Sequence, residues 1–412
     1  TVLTGAGYIV GAALMAVFVL INLWGAKRLS ESNTAVVWWK IAIPVLTIIV
    51  LLVTQFKGSN FSAGNGFDPN GIKGIFAAIA SGGVIFSYLG FEQAIQFGGE
   101  SRNPQRNIPF AVIGAMIIGS VVYIMLEVAF VGALNPHAAA HGWSKLSFTN
   151  DFGPYAALAT GLGLAWLATI LYIDAFLSPS GTGLIYTGSS ARISYALGRN
   201  NYIPDSFGRL NKRGVPWFSI IFAYIVGLIV FLPFPGWQKL VAFITSASVI
   251  IYAAQCLSLA AMREQLPDHP RPFRLAAAKI LTPIGFVIAN EIVLFAGWSV
   301  DGKLFAAIGI GWVLFAISQI FRPAQERVAL DKRSAIWLLP WLIGLLFLSW
   351  FGSFSGSKNY LHFGVDMAAV AVFSLIIYYF ALSLRLSPDE VHKRMESSAG
   401  ELEGGDEVAA PV

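Results

Sequence analysis

Eleven apolar runs, near 5–24, 35–55, 72–97, 109–134, 154–178, 216–234, 238–261, 277–298, 302–321, 335–353 and 362–383, constrain this chain more than anything else in it. A hydrocarbon core about 30 Å thick is crossed by roughly 20 residues of α-helix, and only helices and closed barrels satisfy their backbone there. The runs therefore predict an all-α polytopic membrane protein with about 11 transmembrane helices. With 56% of residues hydrophobic and 12% charged, the composition is that of a bilayer protein. No long polar stretch separates the runs, so residues 1–384 read as one membrane domain and 385–412 as a tail. The tail ends GELEGGDEVAAPV, without apolar periodicity, and is predicted to be disordered. Cys256, the single cysteine, lies inside an apolar run; it excludes a disulfide framework and reads as a packed thiol.

A net charge of +5 suggests a nucleic-acid partner until the positions of the basic residues are considered. With loops assigned alternately to two sides, twenty of the 27 Lys and Arg fall on one side and six on the other, leaving Lys40 inside a span. That asymmetry is the positive-inside pattern. It makes the bilayer the partner, excludes nucleic acid, and places the C-terminal tail in the cytoplasm and Thr1 outside. No Met, charged leader or cleavage pattern stands ahead of the first run. An outward Thr1 needs an odd number of helices before it, so missing N-terminal helices are expected.

The stretch 72–99 is longer than a bilayer requires and rich in glycine. Gly82, Gly83 and Gly90 each cost about 1 kcal/mol of helix propensity relative to Ala; Ser87, Tyr88, Leu89 and Gly90 sit mid-run, and Glu92 follows. Two readings stand. A helix broken near the midplane is where secondary transporters bind substrate and ion, and such backbone is tolerated only around a cavity or within protein. A tilted, intact helix whose glycines pack against a neighbour fits the same residues.

Ionisable residues within the spans are few: Lys40, Glu92, Glu127, Asp174 and Glu291. Each costs roughly 3 kcal/mol or more at a helix centre and is a functional candidate by default. Glu127 and Glu291 lack polar company in sequence and read equally as packing residues. Lys40 either snorkels to an interface or serves function. Asp174 precedes Ser178, Pro179, Ser180 and Thr182, a set that suits a proton or small cation and equally a structural hydrogen-bond network.

Enzymatic patterns are missing. His137, His141, His269, His362 and His392 fall in loops, at a helix start or in the tail, with no HExxH or paired Cys/His spacing. There is no GxSxG, and Gly181-Thr182-Gly183 lacks the lysine and strand of a phosphate cradle. No catalytic residue, metal or cofactor is expected.

Two long stretches carry a family resemblance. GGVIFSYLGFEQAIQFGGESRNPQRNIPFAVI, at 82–113, resembles the sixth helix and cytoplasmic signature of the amino acid–polyamine–organocation transporters. SARISYALGRNNYIPDSFGRLNKRGVP, at 190–216, is similar to the linker after that family's eighth helix. LATILYIDAFLSPSGTG resembles in particular the fourteen-helix permeases that include aspartate:proton symporters. The resemblance implies a five-plus-five inverted-repeat transporter fold, of which this chain would hold helices four to fourteen. It implies that Phe86 gates the substrate and that Ser87, Tyr88, Leu89, Gly90 and Phe91 form an unwound binding segment. Lys40 matches the lysine that proton-coupled members place on the fifth helix, with Ser178 and Ser180 as its neighbours; Glu92 and Asp174 complete the gating and coupling set. The function implied is amino-acid uptake across the plasma membrane by alternating access, with the proton gradient as energy source. An antiporter of amino acids or polyamines, or a non-transporting amino-acid sensor, are the alternatives. The family's glycine-rich first helix, which binds the substrate carboxylate, has no counterpart here.

Overall fold

A computed structural model describes residues 4–405, except 25, 64–65, 97–100, 102, 136–137, 139–141, 144–145, 147, 149–152, 231–236, 272, 324–326 and 329. For 26–35, 237–239 and 397–405 only the course of the backbone is described. The regular structure of the described residues is helical: α1 Gly5–Leu23, α2 Ala26–Gln55, α3 Gly71–Ala80, α4 Val84–Tyr88, α5 Gln93–Gln96, α6 Pro104–Ala133, α7 Pro154–Gly161 and α8 Ala165–Arg199. There follow α9 Trp217–Val230, α10 Trp237–Gln265, α11 Ala278–Ala296, α12 Trp298–Phe321, α13 Lys332–Ala335, α14 Leu338–Phe351, α15 Val365–Ser383 and α16 Pro388–Gly405.

Eight of these stretches are long and apolar enough to cross a membrane, and α3 with the α4–α5 segment makes a ninth, bent by 45°. Their outward faces are apolar. Ile117, Val121 and Ile124 of α6 are all more than half exposed, a stripe that suits hydrocarbon and would be a liability in water. The remaining expected spans differ in detail. Helix α9 has 14 residues. The run 154–178 is divided at Leu162–Leu164, where Gly163 takes φ +77 and the Leu164 N–H returns to the Ala159 carbonyl at 2.8 Å. Glycine adopts that left-handed conformation without a Cβ penalty. Helix α8 then continues for 35 residues, about 52 Å at 1.5 Å per residue, so it outruns any bilayer.

The chain forms two compact units. The first comprises Thr1–Gly74, Gly90–Trp237 and Phe315–Val328. Helix α8 is its hub, packed against α1, α2, α7 and α9, while α2 also packs on α6. Small residues set the approach: a Cβ at Gly181 would lie 2.6 Å from Val36 Cγ1, and one at Gly183 2.7 Å from the Phe18 ring. Helix pairs in lipid pack through such small residues.

The second unit comprises Ile75–Leu89, Gln238–Leu314 and Ala329–Val412. Phe286, Trp341, Val370 and Tyr378 fill its core at 0–2% exposure. Some of the polar groups inside it are paired: Trp341 Nε1 donates to Asn290 Oδ1 at 3.1 Å, Asn290 Nδ2 donates to Ser374 Oγ at 2.9 Å, and the Thr282 and Tyr378 hydroxyls lie 2.7 Å apart. Satisfied buried networks of this kind fix one packing arrangement.

The tail departs from expectation. Residues 388–405 form α16 where disorder is predicted from composition. Ser387 and Glu390 explain it, the Ser387 N–H and hydroxyl donating to Glu390 Oε2 at 2.9 and 2.7 Å and the Glu390 N–H returning to Ser387 Oγ at 3.4 Å. That is a capping box, with Pro388 at the first helical position.

Candidate substrate and coupling site

The glycine-rich stretch resolves in favour of a broken helix. Its first break is at Ser81–Gly83, between α3 and α4. Gly83 stands at φ +92, ψ 6, left-handed, at the N-cap of α4. The second break follows α4: Leu89 turns extended at ψ 152 and Gly90 takes φ +111. The expected unwound segment is thus only partly unwound. Phe86, Ser87 and Tyr88 lie in the single turn of α4, and Ser87 Oγ turns back to the Val84 carbonyl at 2.7 Å. Among the described residues of the stretch, irregular backbone is confined to Ser81–Gly83 and to Leu89, Gly90, Phe91 and Glu92.

In the first unit, Glu92 stabilises the second break directly. Its Oε2 accepts the Gly90 N–H at 2.9 Å, satisfying a donor that has left the helix. Gln93 Nε2 lies 3.4 Å from Oε1 of the same carboxylate. Above Gly90 stands Tyr186 of α8, whose hydroxyl would lie 3.7 Å from a Cβ on that glycine. Tyr186 is also in reach of Glu92 and Gln93.

The same face of α8 carries the second cluster. Trp39 Nε1 and Ser178 Oγ donate to Asp174 Oδ1 at 2.8 and 2.5 Å. Lys40 Nζ donates to Thr182 Oγ1 at 2.7 Å, and Asp174 is within electrostatic reach of the amine. Sequence reasoning placed Ser178 and Ser180 beside Lys40. Ser178 is instead bound to Asp174, and Ser180 Oγ turns to the Phe176 carbonyl at 2.7 Å. The correction follows from helical spacing: Asp174, Ser178, Thr182 and Tyr186 recur every four residues and share a stripe, whereas Ser180 lies off it. Tyr186 was missed, although that period marks it.

Backbone freedom accompanies the cluster. Pro44 lies inside α2 and Pro179 inside α8. A proline leaves the carbonyl four residues earlier without its helical donor, and for Pro44 that carbonyl belongs to Lys40 itself.

The remaining span acids divide. Glu127 has Tyr155 as an electrostatic neighbour. Glu291 is 8% exposed and interacts with Asp366. Sequence reasoning passed over two fully buried acids of the second unit, Asp301 and Asp366, each in the first turn of its helix. Asp301 accepts from Ser349 Oγ at 2.7 Å, and Asp366 accepts the N–H groups of Ser353, Gly364 and Met367 at 2.9, 3.1 and 2.8 Å. An acid in a helix's first turn is the sequence signal for such caps.

Both resembling stretches have structural content. Glu100 and Arg102 of the first lie outside the described residues, while Asn103 caps α6 and Pro104 opens it. In the second, a 3₁₀ turn at Asp205–Gly208 packs so closely on α8 that a Cβ at Gly198 would lie 2.8 Å from the Gly208 nitrogen. Arg322 fastens the same loop, binding Asn201 Oδ1 at 3.1 Å, Asp205 Oδ1 at 2.7 Å and the Ile203 carbonyl. Among the described residues no group of three or more His, Cys, Asp or Glu has metal-binding geometry.

Comparison with known proteins adds the family context. The model of the amino acid permease family matches residues 3–348. The glutamate/serine transporter AimA of Bacillus subtilis is 35% identical over 410 residues, covering 99% of this chain and 75% of the relative. The aspartate-proton symporter of the same organism is 35% identical over 381 residues, covering 92% and 72%. The branched-chain amino acid permease BcaP of Lactococcus lactis is 25% identical over 321 residues, covering 74% and 63%.

Proposed function

The chain belongs to the amino acid permease family, and from that premise we propose that it serves proton-coupled uptake of a small polar amino acid, acidic residues and serine foremost, by alternating access across the plasma membrane. The observation that carries the coupling is the environment of Lys40. Its amine contacts a neutral hydroxyl, Thr182 Oγ1, while the nearest carboxylate, Asp174, is already occupied by Trp39 and Ser178. A hydroxyl accepts from an ammonium and donates to a neutral amine equally well. Lys40 therefore exchanges a proton without breaking a contact ion pair, which buried pairs make costly. The Gly90 and Phe91 carbonyls, which accept the Gln93 and Ala94 N–H groups at 3.1 and 3.3 Å, each keep a second lone pair for a substrate ammonium, with Tyr186 beside Gly90.

The substrate class rests on the two relatives that are 35% identical, one named for glutamate and serine and one for aspartate. Co-transport of a proton offsets the charge of an acidic substrate at a site beside Glu92. The protein is reconstituted in vesicles and uptake of labelled aspartate, glutamate, serine and leucine is followed with and without an inside-alkaline pH gradient. Gradient-driven accumulation is expected for the polar substrates, lost in Lys40→Ala while counterflow exchange persists. Accumulation by Lys40→Ala equal to the parent refutes the coupling role. Exchange without any gradient response in the parent favours an antiporter, and binding without flux a sensor.

A further inference from the structure

A groove of about 360 Å³ lies at the end of α1, lined by Leu20, Leu23, Trp24, Asn211, Lys212 and Arg213, none of them a residue of the coupling cluster or of the broken helix's second break. Its two halves differ in chemistry. Leu20 and Trp24 are 56% and 52% exposed, so an apolar wall ends in a tryptophan. The opposite lip is a turn built to hold its shape. Asn211 Oδ1 accepts the N–H groups of Arg213 and Val215 at 2.9 and 3.0 Å, the Asn211 N–H donates to the Val215 carbonyl at 2.8 Å, and Gly214 supplies the left-handed φ of +70. That turn presents two adjacent cations, both exposed. Among the described residues, neither side chain has an ion-pair or hydrogen-bond partner, and no acid lines the groove.

We propose that this groove binds the headgroup of an anionic phospholipid, its phosphate held by Lys212 and Arg213 and the start of an acyl chain laid along Leu20 and Leu23, with Trp24 at headgroup level. Three observations converge on that occupant. The groove is at a helix end, where tryptophan settles at membrane interfaces. It lies on the side of the protein that the Lys and Arg distribution marks as basic, the side that meets anionic lipid. Its charge is uncompensated, and arginine and lysine held on a rigid turn suit phosphate oxygens. A zwitterionic headgroup carries its own ammonium and gains far less from the pair. A lipid there anchors α1 to the turn before α9 and makes stability lipid-dependent.

The test is thermal unfolding of the purified protein in phosphatidylcholine–detergent micelles, with phosphatidylglycerol replacing phosphatidylcholine stepwise. Phosphatidylglycerol is expected to raise the unfolding temperature saturably. In Lys212→Gln/Arg213→Gln the half-saturating mole fraction rises roughly thirtyfold, two surface cations' worth, while Lys332→Gln/Arg333→Gln, a basic pair elsewhere, leaves it unchanged. The variant's unfolding temperature in pure phosphatidylcholine matches the parent's, which separates lost lipid binding from misfolding. The proposal is overturned if both double variants respond alike, if inorganic phosphate in solution reproduces the shift, or if the two lipids are equivalent for the parent, as they would be with the groove covered by a protein segment.

Discussion

Gly83→Ala isolates the first break of the glycine-rich helix from its packing. A methyl at position 83 has room: its nearest neighbour would be Val241 Cγ1 at 3.8 Å, an ordinary contact. What it lacks is a compatible backbone, because Gly83 stands at φ +92, ψ 6. A side-chain-bearing L-residue in the left-handed region costs roughly 1–2 kcal/mol, a factor of about 5–30 in an equilibrium. Alanine also favours an uninterrupted helix, so the cost falls on the broken state. If substrate binds the broken state, its apparent affinity falls by the fraction of molecules still broken. Gly83→Ala should therefore weaken substrate binding measurably, by at most about 5- to 30-fold, read by radioligand binding to purified protein. Gly83→Asn should recover most of that loss, since asparagine tolerates the left-handed region. Parental affinity in the alanine variant, or an asparagine variant no better than alanine, refutes the link between this backbone conformation and binding.

Gly181→Ala would place a methyl 2.6 Å from Val36 Cγ1 and 3.5 Å from Lys40 Cε, and Val36, β-branched in a helix, has little rotamer freedom to yield. Overpacking should cost about 1–3 kcal/mol of stability by denaturant unfolding, with Val36→Ala restoring it in the double variant. Asp366→Asn should destabilise the protein by about 2–3 kcal/mol in the same measurement, because an amide has one oxygen for three backbone donors that the carboxylate accepts on two. Outside the spans, Asp331 and Glu390 are held below their ordinary carboxylate values, the first chiefly by the Ser334 N–H and the second chiefly by the Ser387 hydroxyl. A carboxyl lowered on folding stabilises above its unfolded value, near 4, and loses that contribution as pH falls through the native one. Hydrogen-exchange protection in the first turns of α13 and α16, corrected for intrinsic rates, should fall across that window and become insensitive to it at α13 in Asp331→Asn.

Legibility in the sequence followed the length scale of each signal. Apolar runs located the eight spans that are long and apolar enough to cross a membrane to within about five residues, because twenty consecutive apolar residues have one solution in lipid, but the run 154–178 gave no sign of its break at Leu162–Leu164. Glycines located the broken helix, though residue type alone left an intact helix equally open. Only coordinates showed that Ser81–Gly83 and Leu89–Glu92 are separate breaks with a helical turn between them. The 35 residues of α8 were not legible as one helix, since its lower half carries the serines, glycines and arginine of the linker motif and reads as loop. Tertiary contact makes it helical: Gly198 against the Asp205–Gly208 turn and Gly181 against α2 give a polar helix a surface to pack on.

The tail shows the opposite failure, a short-range signal outweighed by composition. Ser387-Pro388-Asp389-Glu390 carries the Ser-x-x-Glu pattern of a capping box, while the glycines and glutamates after it suggest disorder. The misplacement of Ser180 has the same origin, residues grouped by nearness along the chain. A helix turns 100° per residue, so Ser178 and Ser180 point to different sides, while along Asp174, Ser178, Thr182 and Tyr186 each residue stays within reach of the next. Read with that period, α8 presents a single polar stripe. Lys40 meets it at Thr182, Trp39 meets it at Asp174, and the Gly90 break meets it one turn further on at Tyr186. On the proposed reading, a proton held at Lys40 and a substrate held at the break would act on successive turns of α8, a contiguous connection of the kind that coupling between two sites uses.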